Sequence, residues 1–247
     1  MRRKFFTAFT FVTLFLAVSV ARAEVIISGT RVIYEEKLRE GMVKISNTGN
    51  VPVLLQAWID NGDASASPET IKVPFSMTPP VVRLDPQKEQ TIRLFRTGAG
   101  LPADRESLFW FNLLEIPPKP TKNSAGDENK LQLAVRTRIK MFYRPEQLAL
   151  SPEQAAKNLK FTISGKQVVI KNASPYYITF RSLEFRALEK GPILANLNKT
   201  NNKMVAPFSE LSLPINVKSS INASTRVYYS VINDFGGETQ STQSLTP

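Results

Sequence analysis

With no histidine and no cysteine in 247 residues, the chain lacks the side chains most enzymes use at neutral pH. That excludes Ser-His-Asp and Cys-His catalysis, thiolate zinc sites and disulfides. The carboxylates are scattered through turns, which argues against a glycosidase-like acid pair, and no glycine-rich phosphate loop is present. What remains for chemistry is charge and apolar surface. The segment best able to bind something is Leu131 to Lys140. Leu131, Leu133, Val135 and Ile139 fall on one face at period two, with Thr137 between them, while Gln132, Ala134, Arg136, Arg138 and Lys140 take the other. Such a row suits a sandwich strand with one face in the core. It equally suits an edge strand offered to an extended peptide, where backbone hydrogen bonds give affinity and alternate side chains give specificity. Burying four aliphatic side chains would contribute roughly 1.5–3 kcal/mol each before ordering costs.

The charge is large. Lys and Arg total 32 against 21 Asp and Glu, a net +11. Four of the cations (Arg2, Arg3, Lys4 and Arg22) lie in the first 23 residues, which leaves 28 against 21, or +7. By itself this charge suits nucleic acid, anionic lipid or an acidic partner and does not choose among them.

The elements that must position these residues read as strands. Short β-branched and aromatic runs (Val25 to Tyr34, Gly41 to Asn47, Val53 to Ile59, Thr91 to Phe95, Ser107 to Leu114, Leu131 to Tyr143) alternate with turn clusters such as Asn47-Thr48-Gly49-Asn50 and Asp60-Asn61-Gly62-Asp63. A second series follows, from a hairpin around Gly165 through Tyr177 to Leu188, Ser209 to Val217 and Thr225 to Ile232. Pro152 to Asn158, capped by Ser151, is the one helical candidate. The series break at Arg144-Pro145, where proline ends a strand. The polar loop Pro117 to Lys130 has no hydrophobic residue except Ala125, cannot offset its ordering entropy, and is expected to be mobile when free. The expected organisation is residues 24–144 and 145–247 as two all-β domains.

Residues 1–23 read as a secretory leader. Met1-Arg2-Arg3-Lys4 is a cationic start, Phe5 to Val20 is apolar apart from its Thr and Ser residues, and Ala21-Arg22-Ala23 has the small-x-small form of a cleavage site. A sixteen-residue segment falls short of the roughly 20 that a spanning helix needs. The expectation is export, a mature chain from Glu24 and no membrane span.

Five short motifs occur in order: Gly29-Thr30-Arg31-Val32-Ile33-Tyr34, Glu106 to Leu113, Glu115-Ile116-Pro117-Pro118-Lys119, Arg138 to Pro145, and Ile232-Asn233-Asp234-Phe235-Gly236-Gly237. In this order, behind a leader, the chain resembles the periplasmic chaperones of the chaperone–usher pathway. The resemblance covers essentially the whole mature chain. It implies an all-β molecule of two immunoglobulin-like β-sandwich domains set at an angle. It also implies a non-enzymatic, cofactor-free function in the periplasm: holding pilus or fimbrial subunits and passing them to an outer-membrane usher, with no nucleic-acid partner. Arg31 and Lys140 match the cations that grip a subunit's C-terminal carboxylate. Leu131, Leu133 and Val135 match the row that fills the groove of an incomplete subunit. Glu106, Arg144 and Asp234 match an internal ionic contact between the domains.

One tension follows: Lys140 has the opposite parity from the apolar row, so a bulge, a bend or the approach to the cleft must re-aim it. The missing cysteines and the short segment before Arg31 resemble the family's short-loop branch, although the loop at 117–130 is long for it. Whether the free chain self-associates by capping its own strand stays open. The competing readings are a structural pilus subunit, which would carry a donor extension at its start, and a secreted hydrolase.

Overall fold

The computed structural model describes residues 25–119, 132–197, 203–222 and 224–246. The leader, Leu131 and most of the polar loop lie outside them. Among the described residues the regular elements are strands except for α1 (Pro152–Lys157), closed at its start by a reciprocal Ser151–Gln154 capping box.

The N-terminal half forms two facing sheets. One has the order β1 (Val25–Ile27), β3 (Gly41–Asn47), β7 (Glu89–Arg96), β5 (Phe75–Thr78). The other has the order β2 (Arg31–Glu35), β9 (Val135–Arg144), β8 (Ser107–Ile116), β4 (Val53–Asp60), β6 (Val81–Leu84). Alternate residues of both sheets, including Ile45, Leu55, Leu94 and Phe111, meet in one buried cluster that also holds Met141 and Tyr143. The run Val25 to Tyr34 is therefore not one strand. It breaks at Ser28–Thr30, where Gly29 adopts φ 108°, and the chain leaves one sheet for the other. β1 pairs antiparallel with β3, whereas β2 runs parallel to β9.

The C-terminal half is a strongly curled sheet of order β10 (Lys160–Ser164), β11 (Gln167–Asn172), β15 (Ser209–Val217), β13 (Ala195–Leu197), β12 (Ile178–Arg186), β16 (Arg226–Ile232), β17 (Glu238–Ser244), with β14 (Met204–Val205) against β12. Its two ends approach each other, Thr246 N–H donating to the Phe161 carbonyl at 2.8 Å. The core packs Phe161, Phe180 and Tyr229 together, with α1 contributing Ala155 and Ala156. Each half carries the same buried corner. The Asn47 amide donates to the carbonyls of Val51 and Leu84, and the Asn172 amide to those of Tyr176 and Ala206. Buried polar groups must be paired, so one asparagine at a strand end ties two chain segments together in each case.

Candidate binding site between the domains

β9 positions most of the predicted residues, and two of its features bear on the sequence reading. First, the strand starts at Val135 rather than Leu131: Gln132, Leu133 and Ala134 are described but belong to no strand. Leu133 and Val135 are 64% and 54% exposed. The core ends before them. Further along the same face Ile139 is half-buried, and Met141 and Tyr143 are fully buried. The solvent-facing apolar row is thus the continuation of a core row beyond the sheet that covers it.

Second, no bulge re-aims Lys140. The β8–β9 register is unbroken from Ser107 opposite Tyr143 to Glu115 opposite Val135. Lys140 lies on the other face of the sheet, and that face is the one turned toward the C-terminal domain. Phe142, on the same face, lies 5.7 Å from Tyr177 between ring centroids. The register places Arg31 directly beside Lys140.

The edge of β9 is open where the sequence switches sheets. β2 covers β9 only from Lys140 to Arg144, because residues before Arg31 turn away toward β3, with Ser28 N–H donating to the Lys44 carbonyl at 2.9 Å. Among the described residues no strand covers Val135 to Ile139 on that side. An open edge presents unpaired backbone donors and acceptors.

This half-paired strand is braced from its other face. Arg138 makes two hydrogen bonds to the fully buried Asp60 carboxylate, at 2.6 and 3.0 Å, and stacks 4.0 Å above Trp110. Arg136 makes two to the Asn112 side-chain oxygen and stacks 4.8 Å above Trp58. The Asn112 amide closes the network on Asp60 at 2.8 Å. Burial would push the Asp60 carboxyl up, but the hydrogen bonds from Arg138, Asn112 and the Gly62 N–H hold it below its ordinary value. The sequence reading missed this support. Its signal was the match of Arg136, Arg138 and Lys140 to Leu114, Asn112 and Trp110 across two strands.

Arg31 and Lys140 sit at the mouth of the cleft with no carboxylate paired to either among the described residues. Arg31 donates from Nη1 to the Ile232 carbonyl at 3.0 Å and lies 5.6 Å from the Phe142 ring centroid. Its buried Nε has no partner. The Lys140 ammonium stands 5.8 Å from the Trp110 ring centroid. Burial lowers the pKa of both groups. For Lys140 the neighbouring Arg31 charge adds to the effect, whereas Asp234 and Glu106 partly offset it for Arg31. Two desolvated cations side by side form a ready site for an anion.

The predicted Glu106, Arg144 and Asp234 are brought together. Arg144 Nε donates to Glu106 Oε1 at 2.8 Å, while its Nη1 and Nη2 donate to the two Asp234 oxygens at 2.7 and 2.9 Å. Glu106 is 3% exposed and accepts from the Tyr177 backbone N–H at 2.9 Å. The Arg144 guanidinium also lies 5.2 Å from the Tyr176 ring centroid. Burial works against the Arg144 charge, but Asp234 and Glu106 outweigh it and raise its pKa. Burial pushes the Glu106 carboxyl up against the pull of Arg144. Arg31, Arg144 and Asp234 share the wall of a cavity of about 260 Å³ with Tyr177 and Phe235.

Residues 24–149 match the family model described as the pili and flagellar-assembly chaperone, PapD N-terminal domain, and residues 154–243 match that of the pili assembly chaperone PapD, C-terminal domain. The chain is 43% identical over 245 residues to the probable fimbrial chaperone YadV of Escherichia coli, covering 97% of each. It is 44% identical over 224 residues to the chaperone protein FimB/FhaD of Bordetella pertussis, covering 89% of this chain and 87% of that one. The crystal structure of the YadV chaperone matches with a TM-score of 0.74 at 39% identity, over 90% of this chain and all of that one. The SafB chaperone, solved in complex with the Salmonella enterica SafA pilin, matches with a TM-score of 0.73 at 29% identity, over 92% of this chain and 99% of that one. Among the described residues no helix is long and apolar enough to cross a membrane.

Proposed function

Given that the chain belongs to the fimbrial chaperones of the chaperone–usher family, we propose that it captures pilus or fimbrial subunits in the periplasm by lending them a strand. A subunit's C-terminal carboxylate binds Arg31 and Lys140. Its last strand then runs along the open edge of β9, with Val135, Leu133 and Leu131 filling the groove left by the strand the subunit lacks. Capture and folding are one step and need no nucleotide or cofactor. Release follows when a neighbouring subunit's extension replaces the lent strand at an outer-membrane usher.

The observation that carries this reading is a pair of partly desolvated cations, with no carboxylate partner among the described residues, at one end of an uncovered strand edge. A peptide terminus supplies what both features lack: an anion for Arg31 and Lys140, and backbone partners for Val135 to Ile139. The contact of Arg144 with Glu106 and Asp234 sets the angle between the domains, and with it the distance from the carboxylate site to the opposite wall. The two separate cores, one ending at Tyr143 and the other beginning with Leu148, support a domain boundary at Arg144.

The test is co-purification from a periplasmic extract, with mass spectrometry of the bound proteins. The parent chain is expected to bring down fimbrial subunits. Arg31→Ala and Lys140→Ala are each expected to yield exported, folded protein without them. Undiminished capture by both variants would sink the anchoring mechanism.

A further inference from the structure

Among the described residues Phe235 is the most exposed large apolar side chain, at 94%. A lone exposed phenylalanine is unremarkable on a flexible loop, but this loop is held from both sides. The Asn233 side-chain oxygen accepts from the Phe235 and Gly237 N–H groups at 3.1 and 2.9 Å. The Asn233 backbone pairs with Gly237 N-to-O at 2.9 Å. Both neighbours of Phe235 are also tied to the other domain. Asp234 is fixed by two hydrogen bonds from Arg144. Gly236, at φ 82°, is pressed so close to the residue before Arg31 that a Cβ there would stand 2.6 Å from Thr30 Oγ1. The backbone that carries the ring is thus fixed on the C-terminal domain, at a cavity Phe235 lines together with Arg31, and no described residue covers the ring. Pre-paid ordering of this kind strengthens a contact with a partner.

We infer that Phe235 is the C-terminal domain's contact with the captured subunit, packing against an apolar side chain within the last few residues before the C-terminal carboxylate. The inference rests on the carboxylate-anchoring reading above. The carboxylate alone carries no sequence information, because every chain ends in one. An aromatic shelf beside it adds a preference for one kind of terminal sequence.

The test uses the full chain and synthetic nine-residue peptides of alternating Val and Ser with a free C-terminal carboxylate, each of the last four positions replaced in turn by Phe. For the parent chain, binding is expected to peak for Phe at one position. Phe235→Ser is expected to weaken that peptide roughly threefold to tenfold and to flatten the position dependence. Phe235→Trp keeps both, and the melting temperature of each variant stays at the parent value. If Phe235→Ser binds every peptide as the parent does while Arg31→Ala has lost them all, the inference is overturned and the anchoring reading stands. If Arg31→Ala and Lys140→Ala still bind, and an amidated peptide binds as well as the free acid, the anchoring reading itself fails and takes the inference with it.

Discussion

Arg144 and Lys140 stand four residues apart on β9, both partly withdrawn from water. Arg144 reaches a carboxylate from each domain, which raises its pKa above the ordinary arginine value. Lys140 has the Arg31 charge beside it and no carboxylate partner among the described residues, and its pKa is lowered. The same physical cost, desolvation of a charge, is thus met internally at one end of the strand and left unmet at the other. A compensated charge holds the domains together. An uncompensated one is what the proposed carboxylate anchoring would draw on, and strongly perturbed groups gather where a protein binds or reacts. Asp234 and Glu106 are engaged by Arg144 and reach Arg31 only through their charge.

The largest effect should come from breaking the compensated site. Arg144→Met strands Glu106, 3% exposed, without its cation. We expect a loss of about 3–5 kcal/mol in urea unfolding. A loss below about 1 kcal/mol would mean that Arg144 is not structurally compensated and would erase the contrast with Lys140.

Next comes the uncompensated site. Lys140→Met and Arg31→Met should each weaken subunit binding by about 1.5–3 kcal/mol, tenfold to over a hundredfold in Kd. Calorimetry should find Lys140→Met melting no lower than the parent, since an unpaired desolvated charge has been removed. A clear fall in its Tm would show that Lys140 is held by the fold after all.

Val135→Ser tests the apolar row apart from the charges. Its side chain is 54% exposed in the free chain, so folding should be unaffected. Subunit affinity should fall by about 1 kcal/mol, less than the value of full burial.

The smallest effect near neutrality is the pH dependence of capture. The free Lys140 pKa lies below the ordinary 10.5, and a bound carboxylate raises it by favouring the charged form. Binding therefore takes up a proton at pH values above the free pKa, and affinity falls as pH rises through that value toward 10.5. Titration calorimetry in buffers of different ionisation enthalpy would detect this uptake. Lys140→Met should remove the alkaline limb, and a limb that persists would assign it to another group.

Much of the fold was legible because its signals are local. Turn clusters such as Asp60–Asp63 and the Ser151 cap act within a few residues, and both sit where the sequence places them. Other elements carry no such signal. β17, Glu-Thr-Gln-Ser-Thr-Gln-Ser, has no apolar alternation, because as an edge strand it takes its order from seven paired residues of β16. The split of Val25 to Tyr34 is marked in the sequence only by Ser28-Gly29-Thr30, and a glycine inside a strand run fits a bulge as well as a change of sheet. The start of β9 was misplaced for the opposite reason. The alternation continues to Leu131, but the sheet that would bury it does not.

The sequence by itself determined the all-β class, the exclusion of thiol and histidine chemistry, and which cations matched a family motif. These depend on residue type and spacing along the chain. Only the tertiary structure decided what each cation does. Lys140, Arg144 and Arg31 are equally charged in the sequence. Their roles separate because β2 stops at Lys140, because Ile232, 201 residues from Arg31, offers it a carbonyl rather than a carboxylate, and because Asp234 is already engaged by Arg144. Desolvation and pairing are properties of the neighbourhood, and that neighbourhood is assembled from segments that only folding brings together.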